Sequence, residues 1–172
     1  MKKLLLLTLF FVAFLGCERE TEPPFRMEER LHGDWRGYRI NNHLIAKGLW
    51  DTLHPHSISG MIATFDTLNN YWQVDSFGEV VDTGRLVINT DSVMTVEGAQ
   101  NAVDWSFDRT MIDNSGTAIL SQLEAAFSGN MEYQIMRLND FELILYFDTV
   151  VPINYGGFEA DVELRHTEYW RK

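Results

Sequence analysis

A single cysteine, Cys17, occurs in 172 residues, so no disulfide can form within the chain and its folded stability must come from a packed core. Basic residues are also scarce: 14 Lys and Arg stand against 25 Asp and Glu, for a net charge of −11 with histidines neutral. A field of that sign repels phosphate backbones. It argues against nucleic acid or an anionic lipid surface as a partner and leaves a cationic or neutral ligand open. The chain has no glycine-rich phosphate loop and no nucleophile elbow. No Cys and His cluster has zinc spacing, and a metal site would have to begin with His54-Pro55-His56, where Pro55 indicates an open, solvated loop. No metal, no cofactor and no catalytic activity are therefore expected. A bilayer-crossing helix needs about 20 apolar residues at ~1.5 Å each, and no run of that length is present.

What is present begins at the N-terminus. Lys2 and Lys3 precede a stretch from Leu4 to Leu15 that is apolar apart from Thr8, the layout of a signal peptide. Phe14-Leu15-Gly16-Cys17 resembles the lipobox of bacterial lipoproteins, with Phe14 where Leu is usual. The resemblance implies that residues 1–16 are removed and that Cys17 is acylated. Removal takes Lys2 and Lys3 with it and leaves 156 residues at a net charge of −13, enough for one domain with a proper core. Each buried CH₂ of an acyl chain contributes about 0.8 kcal/mol, so several chains on Cys17 would hold the protein firmly to a membrane.

The segment after Cys17, Glu18-Arg19-Glu20-Thr21-Glu22-Pro23-Pro24, is charged and ends in two prolines that cannot enter a packed strand, so residues 17–28 are expected to be a tether. The segment resembles the acidic export signals that direct some Gram-negative lipoproteins to the outer face of the outer membrane. A solvated spacer with no address in it accounts for the same residues.

From Leu31 onward, β-branched and aromatic residues come in short runs separated by Asn, Asp, Gly and Ser clusters. This pattern predicts strands near Trp35–Ala46, Gly60–Asp66, Tyr71–Phe77, Glu79–Asn89, Ser92–Glu97, Val103–Arg109, Met131–Leu138, Phe141–Thr149 and Phe158–Arg171. Leu68-Asn69-Asn70, Thr90-Asp91, Asn139-Asp140 and Asn154-Tyr155-Gly156-Gly157 supply turns that tolerate positive φ. The last strand alternates most clearly, with Phe158, Ala160, Val162, Leu164, His166 and Trp170 on one face and charged residues on the other. Ser121-Gln122-Leu123-Glu124 forms a capping box before Ala125-Ala126-Phe127 and a stop at Gly129. It predicts one short helix, with a strand over Thr117–Leu123 as the alternative and no other helix in the chain.

So many hairpins must bury their edges, by closure into an antiparallel barrel of about eight strands or by pairing into a β-sandwich. The barrel is favoured by a second resemblance. Gly33-Asp34-Trp35 opens the first strand as Gly-x-Trp does in lipocalins, and Tyr169-Trp170-Arg171 closes the last. Residues 29–172 look similar to lipocalin-like lipoproteins of Gram-negative bacteria from end to end. The resemblance implies that Gly33 and Trp35 are structural, with Trp35 plugging the closed end and Arg171 lying over it. It also implies a cup that can hold a small apolar ligand. Trp72, Trp105, Tyr133, Ile135, Leu143, Leu145, Phe147 and His166 are the candidate lining, with ordinary core packing as the competing role for each. For His166, a polar group on an apolar face, a backbone partner in the core competes with a ligand contact.

Val80-Val81-Asp82-Thr83-Gly84 resembles the Asp-Thr-Gly loop of aspartic proteases, whose chemistry needs two carboxylates sharing a proton. This chain has one such tripeptide, with Arg85 where a small residue is usual, so a Gly-containing bend or bulge in a strand is the expected role.

The sequence thus describes an exported, outer-membrane-anchored lipoprotein with a lipocalin-like domain. It is expected to bind a small apolar molecule inside, or to be a solid-cored module that binds another envelope protein outside. Replacing the acyl acceptor, Cys17→Ala, should move the protein from the membrane to the soluble fraction. Its retention on membranes through high salt and carbonate would contradict the anchor.

Overall fold

The structure is a computed structural model that describes residues 27–48, 50–99, 122, 123, 127, 129–155 and 157–172. A short helix α1 (Met27–Leu31) is followed by nine strands: β1 (Gly33–Ala46), β2 (Trp50–His56), β3 (Ile62–Phe65), β4 (Asn70–Val74), β5 (Val80–Thr90), β6 (Val93–Ala99), β7 (Gly129–Leu138), β8 (Glu142–Tyr155) and β9 (Phe158–Arg171). All pairings are antiparallel between neighbours. The order β1-β3-β4-β5-β6-β7-β8-β9 closes where β9 pairs with β1, from Arg36 opposite Arg171 to Ile45 opposite Glu163. The result is a closed eight-stranded barrel with β2 as an extra strand, not a sandwich.

Closure satisfies the edges that so many hairpins would otherwise leave open. The turns form where Asn, Asp and Gly occur. Asn69 adopts φ 63° between β3 and β4, and Gly157 adopts φ 86° in the β8–β9 hairpin, where Tyr155 faces Phe158. Gly33 enters β1 at φ 115°, a conformation L side chains rarely adopt, so the position two residues before Trp35 favours glycine.

Three features differ from the expected strands and helices. His54-Pro55-His56 is the end of β2, not a loop: Pro55 faces Asn41 and His54 faces Asn42 across the β1 ladder. β3 takes the same side of β1 along Gly33–Arg36 and β2 takes it along Ile40–Ala46, which places β2 beside the ring, where a proline's missing N–H is tolerated. β8 likewise runs through Pro152 to Tyr155: β7 pairs with it only from Tyr146 to Leu143, and farther along the Gln122 side chain bonds the Asn154 backbone, accepting its N–H at 2.6 Å and donating to its carbonyl at 3.2 Å. The third is α1, which is too short to show a period. Its two apolar residues, Met27 and Leu31, lie one turn apart and are both buried. Gln122, Leu123 and Phe127 are helical, as the capping box suggested, while the strand expected at Val103–Arg109 lies outside the described residues.

Inward side chains follow the two-residue period of each strand. On β9, Val162, Leu164, His166, Glu168 and Trp170 are buried; on β8, Leu143, Leu145, Phe147, Val151 and Ile153. At the α1 end, Trp35 is fully buried and its indole N–H donates to Leu31 O at 2.7 Å, joining helix to barrel. The cation over its ring is Lys172, with Nζ 4.7 Å from the ring centre, and Lys172 also donates to Arg30 O at 2.9 Å. Arg171 does not fill that role. Trp170 points inward, so alternation turns Arg171 outward, where its guanidinium lies 4.2 Å from the Tyr38 ring.

Trp35→Ala should cost about 3–5 kcal/mol, the range for removing a buried aromatic, and this is read as a lower urea midpoint. An unchanged midpoint would mean that the plug at this end does not support the barrel.

Candidate functional site

The barrel interior combines an apolar wall with an acidic, hydrogen-bonded centre. Glu168 on β9 is 3% exposed, and an isolated carboxylate there would lose its hydration at a cost of several kcal/mol. Three neighbours supply what water would have. Tyr133 O–H donates to Glu168 Oε1 at 2.8 Å, Trp170 Nε1–H donates to Oε2 at 2.8 Å, and His166 Nε2 lies 3.0 Å from Oε1. His166 Nδ1 in turn lies 2.6 Å from Asn42 Oδ1 on β1. The partners of the core histidine are thus side chains, not backbone. The chain of contacts joins β7, β9 and β1 across the seam where the barrel closes.

A second group lies on β4 and β5. Tyr71 O–H donates to Gln73 Oε1, and Gln73 Nε2 approaches Met61 Sδ at 3.9 Å. Asp82 is 3% exposed and accepts the Thr83 N–H at 2.9 Å. The protease-like tripeptide is strand geometry here. Val81 is the extra residue of a bulge against β4, and a side chain at Gly84 would strike Glu97 O at 2.6 Å. Burial pushes both Tyr71 and Tyr133 well above the usual phenol range, and the negative charges of Glu168 and Asp82 push them further in the same direction.

Of the eight expected lining residues, Tyr133, Leu143, Leu145, Phe147 and His166 converge inside. Phe147 stacks at 4.9 Å on His166 and meets Tyr133 edge-on at 5.4 Å. Ile135 is half-buried against the core, beside a bulge between Ile135 and Arg137. Trp72 does not belong to the lining: Tyr71 and Gln73 on either side of it point in, so it sits on the outer face. Trp105 lies outside the described residues, as does Cys17.

Sequence reasoning missed Glu168, Asn42, Gln73 and Phe127. Glu168 lies between His166 and Trp170 on the face that alternation assigned inward, and only its charge argued otherwise. No local pattern signals Phe127, which packs edge-on against His166 at 5.3 Å and Phe147 at 5.1 Å.

Among the described residues, Phe65, Tyr71, Met94, Met131, Tyr133 and Glu168 surround a cavity of about 10 Å³, at the threshold for a single water molecule. A hollow of about 420 Å³ lies at the tip of the β8–β9 hairpin, and its lining includes the exposed carboxylates Glu159 and Asp161. Among the described residues no group of three or more His, Cys, Asp and Glu side chains is placed to hold a metal ion.

No family model and no curated protein matches this chain. Among solved structures it is similar to a lipocalin-like protein from Bacteroides uniformis ATCC 8492, at 13% identity over 83% of this chain and 98% of that one, with a TM-score of 0.43. It is also similar to an uncharacterized protein from Bacteroides eggerthii DSM 20697, at 12% identity over the same shares, with a TM-score of 0.40.

Both buried tyrosines ionise in the unfolded chain near pH 10 and resist ionisation in the folded one. Their stabilisation is complete below about pH 10 and is lost as pH rises towards the raised folded values, by about 1.4 kcal/mol per pH unit for each tyrosine. Tyr71→Phe should therefore flatten the alkaline decline in urea midpoint. A decline equal to that of the unsubstituted protein would contradict the burial of this phenol.

Proposed function

We propose that the protein is an exported envelope lipoprotein, held to a membrane by acyl chains on Cys17, whose barrel is a solid scaffold and whose outer surface does the work. One observation carries this reading: among the described residues, the cavity between Tyr71, Tyr133 and Glu168 is about 10 Å³. A pocket for a small apolar ligand needs about 300 Å³ or more of largely apolar space. The positions that would line such a pocket are engaged with one another. Tyr133 and His166 are turned onto Glu168, and Phe127 closes over Phe147 and His166. In this reading the chain performs no catalysis and needs no cofactor, and its partners meet it from outside.

The ligand-cup alternative is separated by binding. An environment-sensitive apolar dye added to the full protein should show no stoichiometric uptake, and native mass spectrometry of protein purified from its host should show no tightly bound small mass. Dye uptake at one per chain, altered by His166→Phe while the melting temperature holds, would overturn the solid-scaffold reading.

A further inference from the structure

We infer that the outer wall along the β1–β9 seam is a binding site for a short carboxylated saccharide, with Arg36, Arg39 and Arg171 on its carboxylates; this deepens the outer-surface reading above and rests on it. The site begins with a bulge. Trp170 faces Gly37 and Tyr169 faces Arg39, so Tyr38 is the extra residue of β1. Gly37 has no room for a side chain, since a Cβ there would come within 2.5 Å of Ile58 and 2.9 Å of Trp170. Outside the wall the extra residue brings two rings together, with the centres of Tyr38 and Tyr169 5.7 Å apart.

Each ring carries a guanidinium. Arg171 lies over Tyr38 at 4.2 Å and Arg39 over Tyr169 at 4.5 Å, and Arg36 stands directly opposite Arg171 in the β1–β9 ladder, where like charges repel. These arginines are exposed, and among the described residues no carboxylate forms an ion pair with any of them. The carboxylates beside them are engaged elsewhere. Glu142 holds Arg137 at 2.7 Å and accepts the Tyr38 O–H at 3.4 Å, and Asp34 accepts the Thr64 O–H at 2.7 Å. Arg137, with Tyr38 and Arg171 behind it, keeps the Glu142 carboxyl below the usual carboxylate range. The seam therefore presents Arg36, Arg39, Arg137 and Arg171 against Asp34 and Glu142, a local excess of guanidinium. The whole chain at −11 repels a long polyanion, but screening over about 8 Å leaves a short one to the groups it touches.

A saccharide fits this wall better than an acidic peptide. β1 pairs with β9 on one side and with β3 and β2 on the other, so an extended peptide finds no edge there to add a strand to. The row next to the rings is polar and uncharged: Asn41, whose amide donates to the Tyr169 hydroxyl at 3.4 Å, and Thr167 opposite it. Amide and hydroxyl groups match sugar hydroxyls, and the planar guanidinium fork matches a carboxylate through two parallel hydrogen bonds. Stacking on tyrosine holds the Arg39 and Arg171 forks in place in advance, so less side-chain freedom is lost on binding. Farther along the seam the charges are matched again, Arg165 with Glu163 at 2.6 Å.

The test titrates the full protein with hexagalacturonate by calorimetry at low salt, with neutral maltohexaose and the acidic peptide hexaglutamate alongside. The expected result is one hexagalacturonate per chain, no heat with maltohexaose, and hexaglutamate at least about tenfold weaker. Arg39→Ala with Arg171→Ala should weaken hexagalacturonate by at least about tenfold, and Arg39→Lys with Arg171→Lys by nearly as much, because an ammonium supplies neither the fork nor the stack. Arg85→Ala, on β5, should change nothing. Arg36→Ala should weaken binding while its melting temperature stays level or rises, since it also relieves the like-charge pair. No heat with hexagalacturonate, equal binding of hexaglutamate, full binding by the lysine variant, or loss of binding only where the fold melts earlier overturns the inference and leaves the solid scaffold standing. Stoichiometric uptake of the apolar dye by the same protein overturns the scaffold reading and this inference with it.

Discussion

A carboxylate inside a barrel has to be surrounded by donors or the barrel does not close around it. Glu168 meets that condition with the Tyr133 hydroxyl, the Trp170 indole N–H and the His166 ring. The three donors bind more than a charge. Tyr133 comes from β7, Trp170 and His166 from β9, and Asn42 beyond His166 from β1, so the network spans the seam that turns a sheet into a closed wall. Each donor is itself an aromatic or heteroaromatic ring packed in the core, so the groups that satisfy the charge also fill the space a ligand would need. The small cavity and the buried acid are two consequences of one arrangement.

Much of this was legible in the residues. The alternation of the last strand placed Leu164, His166 and Trp170 inside, and β1 begins at Gly33 with Trp35 buried. What could not be read had physical causes. Glu168 sits on the inward face by period, but an acid is inward only when its donors arrive from other strands, and those are set by tertiary pairing. Pro55 and Pro152 look like strand terminators, yet Pro55 lies in β2, beside the ring, and Pro152 lies in β8 beyond the last residue that β7 pairs with. Trp72 is apolar enough for the core but falls one residue out of phase with Tyr71 and Gln73. Arg171 was assigned to Trp35 by resemblance, while the same alternation that turns Trp170 inward hands that position to Lys172.

The function proposed follows from which surfaces remain available. Where the described inward side chains are engaged with one another, the outer wall and the two ends of the barrel remain available, and these are the surfaces that the proposal gives to partners.

The central claim is that Glu168 and its donors act as one unit holding the barrel closed. A double-mutant cycle on urea unfolding, with Glu168→Ala, Tyr133→Phe and both together, tests it most directly. Coupling of about 1–3 kcal/mol between the two sites is the predicted result, since removing the acid leaves the phenol without its acceptor and the second change then costs little. Additive losses would contradict the account, because they would mean that the two groups stabilise the barrel independently.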